Sequence, residues 1–189
     1  IMTLPNKLTL ITNLLIPAMI IIYYIPWFKE NIAFLEVSWL YLITAIIFIV
    51  ASLTDFLDGF IARKYNLVTT FGKLADPLAD KMLTFSAMAI LMVDGYVPMW
   101  VFVVILIREF TVSGIRMVAI ERGEVIAAGK LGKFKTATTM VAIIVLLFSG
   151  LHQYVNLAGS ILMYVACALT IISGIEYFWN SRKIIFESI

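Results

Sequence analysis

Four aspartates stand in two short stretches of this sequence, at spacings that suit a metal site. Asp55 and Asp58 are separated by three positions, and Asp76 and Asp80 by four. Residues at these separations lie on the same face of a helix. Because the connection between the two stretches is short, the two faces can meet across a helical hairpin. The pattern predicts one pocket lined by carboxylate oxygens.

Carboxylate oxygens are typical ligands of hard divalent cations, which also bind substrate phosphates. An ionised carboxylate within a membrane costs about 2.5–3.5 kcal/mol, so a group of four needs compensating positive charge. Two divalent cations, Mg²⁺ or Mn²⁺, would supply it and would suit phosphoryl transfer. The alternative is that the acids cap helix ends and pair with nearby basic side chains. Those side chains are Arg63, Lys64, Lys73 and Lys81.

The composition indicates that these acids belong to a membrane protein. Of the 189 residues, 62% are hydrophobic and 14% are charged, whereas soluble domains are roughly half apolar and about a quarter charged. The segments Trp39–Thr54, Met82–Val93 and Tyr96–Ile107 carry no charge and approach the roughly 20 residues that span a bilayer. The net charge of +2 and the scattered basic residues argue against a nucleic-acid partner.

The hydrophobic pattern predicts an all-α integral membrane protein with six transmembrane helices in a single domain, 1–189. The predicted helices span 8–26, 38–64, 72–94, 97–122, 132–151 and 155–180. Basic residues concentrate at one predicted end of the bundle, and Lys29 alone lies at the other. Since short cytoplasmic loops are enriched in Lys and Arg, the basic end, with the aspartates, is expected to face the cytoplasm from the cell membrane. The residues of that end are Lys7, Arg63, Lys64, Lys73, Lys81, Arg122, Lys130, Lys133, Lys135, Arg182 and Lys183.

A second group of charged residues lies in the fourth and fifth predicted helices. Arg108 falls about 17 Å from the outer end of its helix at 1.5 Å per residue, and an arginine at such depth usually faces a cavity or a partner. Arg108, Arg116, Lys133 and Lys135 could together bind the phosphate of an acceptor. The alternative is an Arg108–Glu109 or Glu109–Arg116 ion pair, with the lysines only orienting the protein in the membrane.

The aspartate region as a whole matches a family signature, Asp-x2-Asp-Gly-x2-Ala-Arg-x8-Gly-x3-Asp-x3-Asp. Chance agreement at eight fixed positions is very improbable, and the chain resembles the CDP-alcohol phosphotransferase family over essentially its whole length. The matching residues are Asp55, Asp58, Gly59, Ala62, Arg63, Gly72, Asp76 and Asp80.

The resemblance implies roles for several of these residues. It implies that Asp55, Asp58 and Asp76 bind two divalent cations, and that Asp80 ligates one of them and serves as the general base. It also implies a CDP-diacylglycerol donor, a membrane-lipid environment and a homodimer. The positions that would surround the CDP group are Asn6, Thr9, Gly59, Arg63, Thr69 and Gly72.

Segments 4–9, 66–69, 107–116 and 132–136 narrow the resemblance to family members that use sn-glycerol 3-phosphate as acceptor. Inositol phosphate, serine and phosphatidylglycerol stay open as alternative acceptors. A divalent-cation transporter is a further alternative, although its acids would have to continue across the bilayer. In one departure from the family pattern, Thr12 and Asn13 stand where an arginine is usual.

Overall fold

The structure is a computed structural model that describes residues 4–64, 70–121 and 129–186. It is almost entirely helical, which confirms the predicted all-α class. Each predicted segment coincides with one of six long helices, and a short helix and a 3-10 turn lie between them. The helices are α1 Leu4–Tyr23, α2 Pro26–Glu30, α3 Trp39–Lys64, α4 Thr70–Val93, α5 Met99–Glu121, α6 Lys130–Leu147 and α7 Gln153–Phe186, with the 3-10 turn at Ser149–Leu151.

Several predicted helix boundaries are wrong by a few residues. Helix α1 begins at Leu4 rather than at position 8, and α7 continues to Phe186 rather than ending at position 180. The first helix was expected to continue to position 26, but α1 ends at Tyr23. Ile25 is extended, with φ −93° and ψ 108°, and Pro26 begins α2, because a residue that precedes proline is disfavoured in the helical conformation. The fifth helix was expected to reach position 151, but α6 ends at Leu147 and a 3-10 turn follows.

A small antiparallel hairpin was not predicted. Strand β1, Ile32–Phe34, pairs with β2, Val37–Ser38. Leu35 and Glu36 make the turn with φ of 40° and 68°, values typical of tight hairpin turns. A Cβ at Gly150 would lie 2.6 Å from the Glu36 carbonyl oxygen, so a glycine is needed where the 3-10 turn packs against the hairpin.

The core of the bundle is formed by apolar side chains from all six long helices. Helices α6 and α7 pack closely, and a Cβ at Gly159 would lie 2.7 Å from Leu146 Cδ2. Small residues allow such close helix packing, and here the packing fixes the position of α6. Representative core residues are Met19, Phe48, Leu83, Ile105, Leu146 and Met163.

Within the described ranges, one helix is long and apolar enough to cross a membrane by length and composition alone, Gln153–Arg182. Leu14–Tyr23 and Trp39–Thr54 are shorter apolar stretches. Large apolar side chains on α7 are exposed, including Leu157 at 57% and Ile175 at 64%. A helix surface of this kind suits contact with lipid or with another protein.

A carboxylate at the end of α4 connects the first three helices to the fourth. Asp94 accepts hydrogen bonds from the hydroxyls of Tyr23, at 3.1 Å, and Tyr41, at 2.7 Å, and forms an ion pair with Lys29. Its side chain is only 7% exposed. The hydrogen bond to Asp94 raises the pKa of Lys29 above its ordinary value. We call Asp94, Tyr23, Lys29 and Tyr41 the Asp94 cluster.

Replacing the Asp94 carboxylate with an amide should destabilise the bundle. Hydrogen bonds to a charged group are roughly twice as strong as neutral ones, and losing such an interaction at a buried site costs on the order of 1–3 kcal/mol. We expect Asp94→Asn to lower the apparent melting temperature in detergent by several degrees, measured by circular dichroism. The exposed Glu30 of α2 provides the control, Glu30→Gln. Equal melting temperatures for the two variants would contradict this role of Asp94.

Candidate functional site

A small cavity of about 40 Å³ lies within the bundle, between α4, α5 and α6. By volume it has room for a few water molecules. Its polar lining includes two carboxylates and two ammonium groups, which is unusual in so apolar a molecule. These lining residues are Asp80, Lys81, Glu109 and Lys135, with the hydroxyls of Thr84, Thr136 and Thr139.

Glu109 is the centre of an ionic cluster at this cavity. Its Oε1 accepts a hydrogen bond from Arg108 Nη1 at 2.7 Å and forms an ion pair with Lys135 Nζ. Its Oε2 lies 3.9 Å from Lys81 Nζ. We call Glu109, Lys81, Arg108 and Lys135 the Glu109 cluster. One carboxylate therefore holds cations from three successive helices, α4, α5 and α6.

Two hydroxyl groups extend the hydrogen bonding of the Glu109 cluster. Lys81 Nζ donates to Ser113 Oγ and, at 3.3 Å, to the Glu109 carbonyl oxygen. Ser113 Oγ in turn donates to the same carbonyl at 2.8 Å. Arg108 Nη2 donates to Ser173 Oγ at 2.9 Å, which connects the cluster to α7. These hydrogen bonds fix the directions in which the Lys81 and Arg108 side chains point.

Arg108 depends on a glycine in α7 for its position. A Cβ at Gly174 would lie 3.0 Å from Arg108 Cγ, closer than most ordinary Cβ contacts. The arginine stem thus lies directly on the α7 backbone, which places the guanidinium group beside both Ser173 and Glu109.

The structure brings together two of the four residues that were predicted to bind an acceptor phosphate. Arg108 and Lys135 meet at Glu109, with side chains that are 14% and 7% exposed. Arg116 and Lys133 are exposed, and the described ion pairs of Glu109 do not include them. The Arg108–Glu109 pair of the alternative interpretation is present. The burial of Lys135, however, favours a role inside the bundle over one in membrane orientation.

Asp80 is the one predicted metal ligand whose side chain the structure describes. It is partly buried and lines the cavity beside Lys135. Helices α3 and α4, which carry the two aspartate pairs, contact each other. The side chains of Asp55, Asp58 and Asp76 lie outside the described residues. A cluster of three or more His, Cys, Asp or Glu side chains does not occur among the side chains that are described, so the four-aspartate site stays a prediction.

The predicted CDP-binding residues also lie outside the described part of the site. The backbones of α1, α3 and α4 include several of them, but their side chains are not described, and Thr69 falls in the undescribed range 65–69. The same holds for the side chains at the departure from the family pattern, Thr12 and Asn13. The predicted CDP-binding residues for which only the backbone is described are Asn6, Thr9, Gly59, Arg63 and Gly72.

Sequence reasoning missed the hydroxyls that orient the cations, Ser113 and Ser173. Both are small polar residues in largely apolar helices, and this pattern can indicate a hydrogen bond across a helix interface. The signal was weak because serine is also common as a small packing residue. The resulting arrangement places several positive charges beside a carboxylate. The positive charges suit an anionic ligand, and the carboxylate suits a proton or a bound cation.

Comparisons with known proteins place this chain among transferases. The family model described as CDP-alcohol phosphatidyltransferase matches residues 2–172. Three similar proteins bear the name CDP-diacylglycerol--glycerol-3-phosphate 3-phosphatidyltransferase. They are from Bacillus subtilis (43% identical, covering 95% of this chain and 97% of the relative), Rickettsia felis (38%, covering 95% and 96%) and Salmonella choleraesuis (34%, covering 95% and 94%).

Enlarging Gly174 should disturb the packing beneath Arg108. We expect Gly174→Leu to lower the apparent melting temperature in detergent, because overpacking costs about 1–3 kcal/mol and the Arg108 stem would have to move. The matched control is Gly114→Leu in α5, where an added Cβ has nothing within 4 Å. Indistinguishable melting temperatures for the two variants would show that the contact between α5 and α7 is not tight.

Proposed function

The chain belongs to the CDP-alcohol phosphatidyltransferase family, and we propose that it transfers the phosphatidyl group from CDP-diacylglycerol to sn-glycerol 3-phosphate. The products are phosphatidylglycerophosphate and CMP, so the activity belongs to phospholipid biosynthesis. The names and near full-length similarity of the relatives support this reaction. The observation that carries it in the structure is the cavity in which Asp80 adjoins Glu109, Lys81 and Lys135, because it places a carboxylate beside ammonium groups that suit an anion.

Divalent metal ions are general cofactors of this family. The donor set fits them, since Asp80 offers carboxylate oxygens at the cavity wall and hard cations prefer oxygen ligands. We propose that Asp55, Asp58, Asp76 and Asp80 hold two such ions, Mg²⁺ or Mn²⁺. Bound there, the ions would neutralise the diphosphate of the donor and stabilise CMP as it departs.

The residues of the chain have separate tasks in the proposed reaction. Asp80 accepts the proton of the acceptor hydroxyl while the oxygen of that hydroxyl forms a bond to the phosphorus that bears the lipid. The bond from this phosphorus to CMP breaks, and CMP leaves with the electron pair. A carboxylate is a weak base for an alcohol, so much of the rate must come from holding the hydroxyl in line with the leaving group. Lys135 and Arg108 serve that purpose through the phosphate of the acceptor.

A lipid donor and a water-soluble acceptor can meet only at a membrane surface. We propose a six-span protein of the cell membrane with its basic end, and thus the aspartates, at the cytoplasmic side. The exposed apolar side chains of α3, α5 and α7 support lipid contact. Examples are Ile46, Val50, Ile107 and Ile175. A homodimer is part of the proposal through family resemblance alone.

The choice of acceptor can be tested with purified protein, CDP-diacylglycerol, Mg²⁺ and a panel of alcohols, by measuring CMP release. We expect sn-glycerol 3-phosphate to give the highest rate, ahead of inositol phosphate, serine and phosphatidylglycerol. Release of CMP with another alcohol but not with glycerol 3-phosphate would disprove the acceptor. Uptake of divalent cations into liposomes without CMP formation would instead support the transporter alternative, which the family assignment disfavours.

Asp80→Asn should remove the proton acceptor while it preserves side-chain size. We expect CMP release to fall by at least about 100-fold, the scale of a lost general base, with unchanged insertion into the membrane. The assay uses saturating CDP-diacylglycerol and glycerol 3-phosphate, with Glu30→Gln as the control for an acidic residue far from the cavity. Turnover by Asp80→Asn close to that of the unmodified protein would exclude Asp80 from the proposed role.

A further inference from the structure

We propose that Glu109 is a positioning residue that shapes the acceptor site for a phosphate monoester carrying two negative charges. This inference rests on the proposed function and deepens it, because it concerns how the acceptor is selected. The starting observation is that three cations surround a single carboxylate in the described structure, whereas a structural ion pair requires only one.

The charge of the Glu109 cluster is unbalanced. Among the described side chains, its three cations and one carboxylate leave a surplus of two positive charges. Asp80 lines the same cavity, but under the proposed function its charge would be matched by a divalent ion. Leaving charge uncompensated within an apolar bundle is expensive, and therefore the surplus indicates a ligand of opposite charge. A phosphate monoester carries about −1.5 to −2 at neutral pH, which matches it.

The surplus also discriminates between acceptors. Serine has no phosphate group and would leave both excess charges unmatched. A phosphodiester lipid such as phosphatidylglycerol has one negative charge and would match only half of the surplus. A monoester such as glycerol 3-phosphate matches both, and so does inositol phosphate. The cluster therefore selects the class of acceptor, and the shape of the remaining site must select within that class.

Glu109 positions the cations rather than contacting the reacting atoms. Its Oε1 binds both Arg108 and Lys135, which holds the two groups side by side although they come from different helices. Arg108 Nε is buried and has no hydrogen-bond partner in the described part of the chain, so its N–H group is available to donate to a ligand. Without the carboxylate, the like charges would repel one another, and the two side chains would separate.

The test compares the kinetics of Glu109→Gln with those of the unmodified protein. CMP release is measured against the concentration of sn-glycerol 3-phosphate at saturating CDP-diacylglycerol and Mg²⁺, and then with the two substrates exchanged. We expect KM for glycerol 3-phosphate to rise at least tenfold, while KM for CDP-diacylglycerol stays within twofold. Glu176→Gln, at an exposed glutamate of α7, should leave both constants unchanged.

A second variant keeps the proposal testable if Glu109→Gln does not fold. Glu109→Asp keeps the charge on a shorter side chain and should give an intermediate KM for glycerol 3-phosphate. Stabilisation of the protein by glycerol 3-phosphate, read as a shift in melting temperature, should follow the same order, whereas stabilisation by CDP with Mg²⁺ should not change.

The possible results separate the two proposals. An unchanged KM for glycerol 3-phosphate in Glu109→Gln, or an equal rise in both KM values, would overturn the positioning role of Glu109. If Glu109→Gln does not fold, a KM and a melting shift in Glu109→Asp equal to those of the unmodified protein would overturn it as well. Failure of the unmodified protein to release CMP with glycerol 3-phosphate would instead refute the proposed function.

Discussion

Charged groups inside an apolar helix bundle must compensate one another, and in this protein that requirement centres on Glu109. Its carboxylate holds Arg108 and Lys135 directly and lies near Lys81. Arg108 extends the cluster to α7 through Ser173. Four helices are thus connected through one partly buried carboxylate. Each ion taken from water carries a desolvation cost of several kcal/mol, which the ion pairs and hydrogen bonds within the cluster offset in part.

Among the described residues, a second carboxylate that joins several helices, Asp94, lies far from this cavity. At 1.5 Å per residue, 14 positions of α4 separate Asp80 from Asp94 by about 21 Å. The Asp94 cluster has one cation and two hydroxyl donors for its carboxylate, so its charges balance. This contrast between the two ends of α4 supports different roles, a structural one for Asp94 and ligand binding for the Glu109 cluster.

The sequence allowed the helices to be predicted because long apolar runs leave few other structures open. It did not reveal the early end of α1 at Tyr23 or the hairpin turn at Leu35, which depend on one proline and on local backbone conformation. At the site, residue types predicted Arg108 and Lys135 but also included Arg116, which is exposed. Helical spacing indicates which face a residue occupies, but not which neighbouring helix covers that face. The central position of Glu109 follows from how α4, α5 and α6 pack, and the sequence pattern does not contain that information.

The proposed function requires that Asp80 bind a metal ion and that the neighbouring Glu109 cluster bind the acceptor phosphate. The most direct test is a crystal structure of the protein with Mn²⁺, CDP and glycerol 3-phosphate, in which anomalous scattering locates the metal. We predict that Mn²⁺ lies within coordination distance of the Asp80 carboxylate and that the acceptor phosphate contacts Lys135 and Arg108 beside it. A structure with Mn²⁺ bound away from Asp80, or with the acceptor phosphate outside this cavity, would contradict the account.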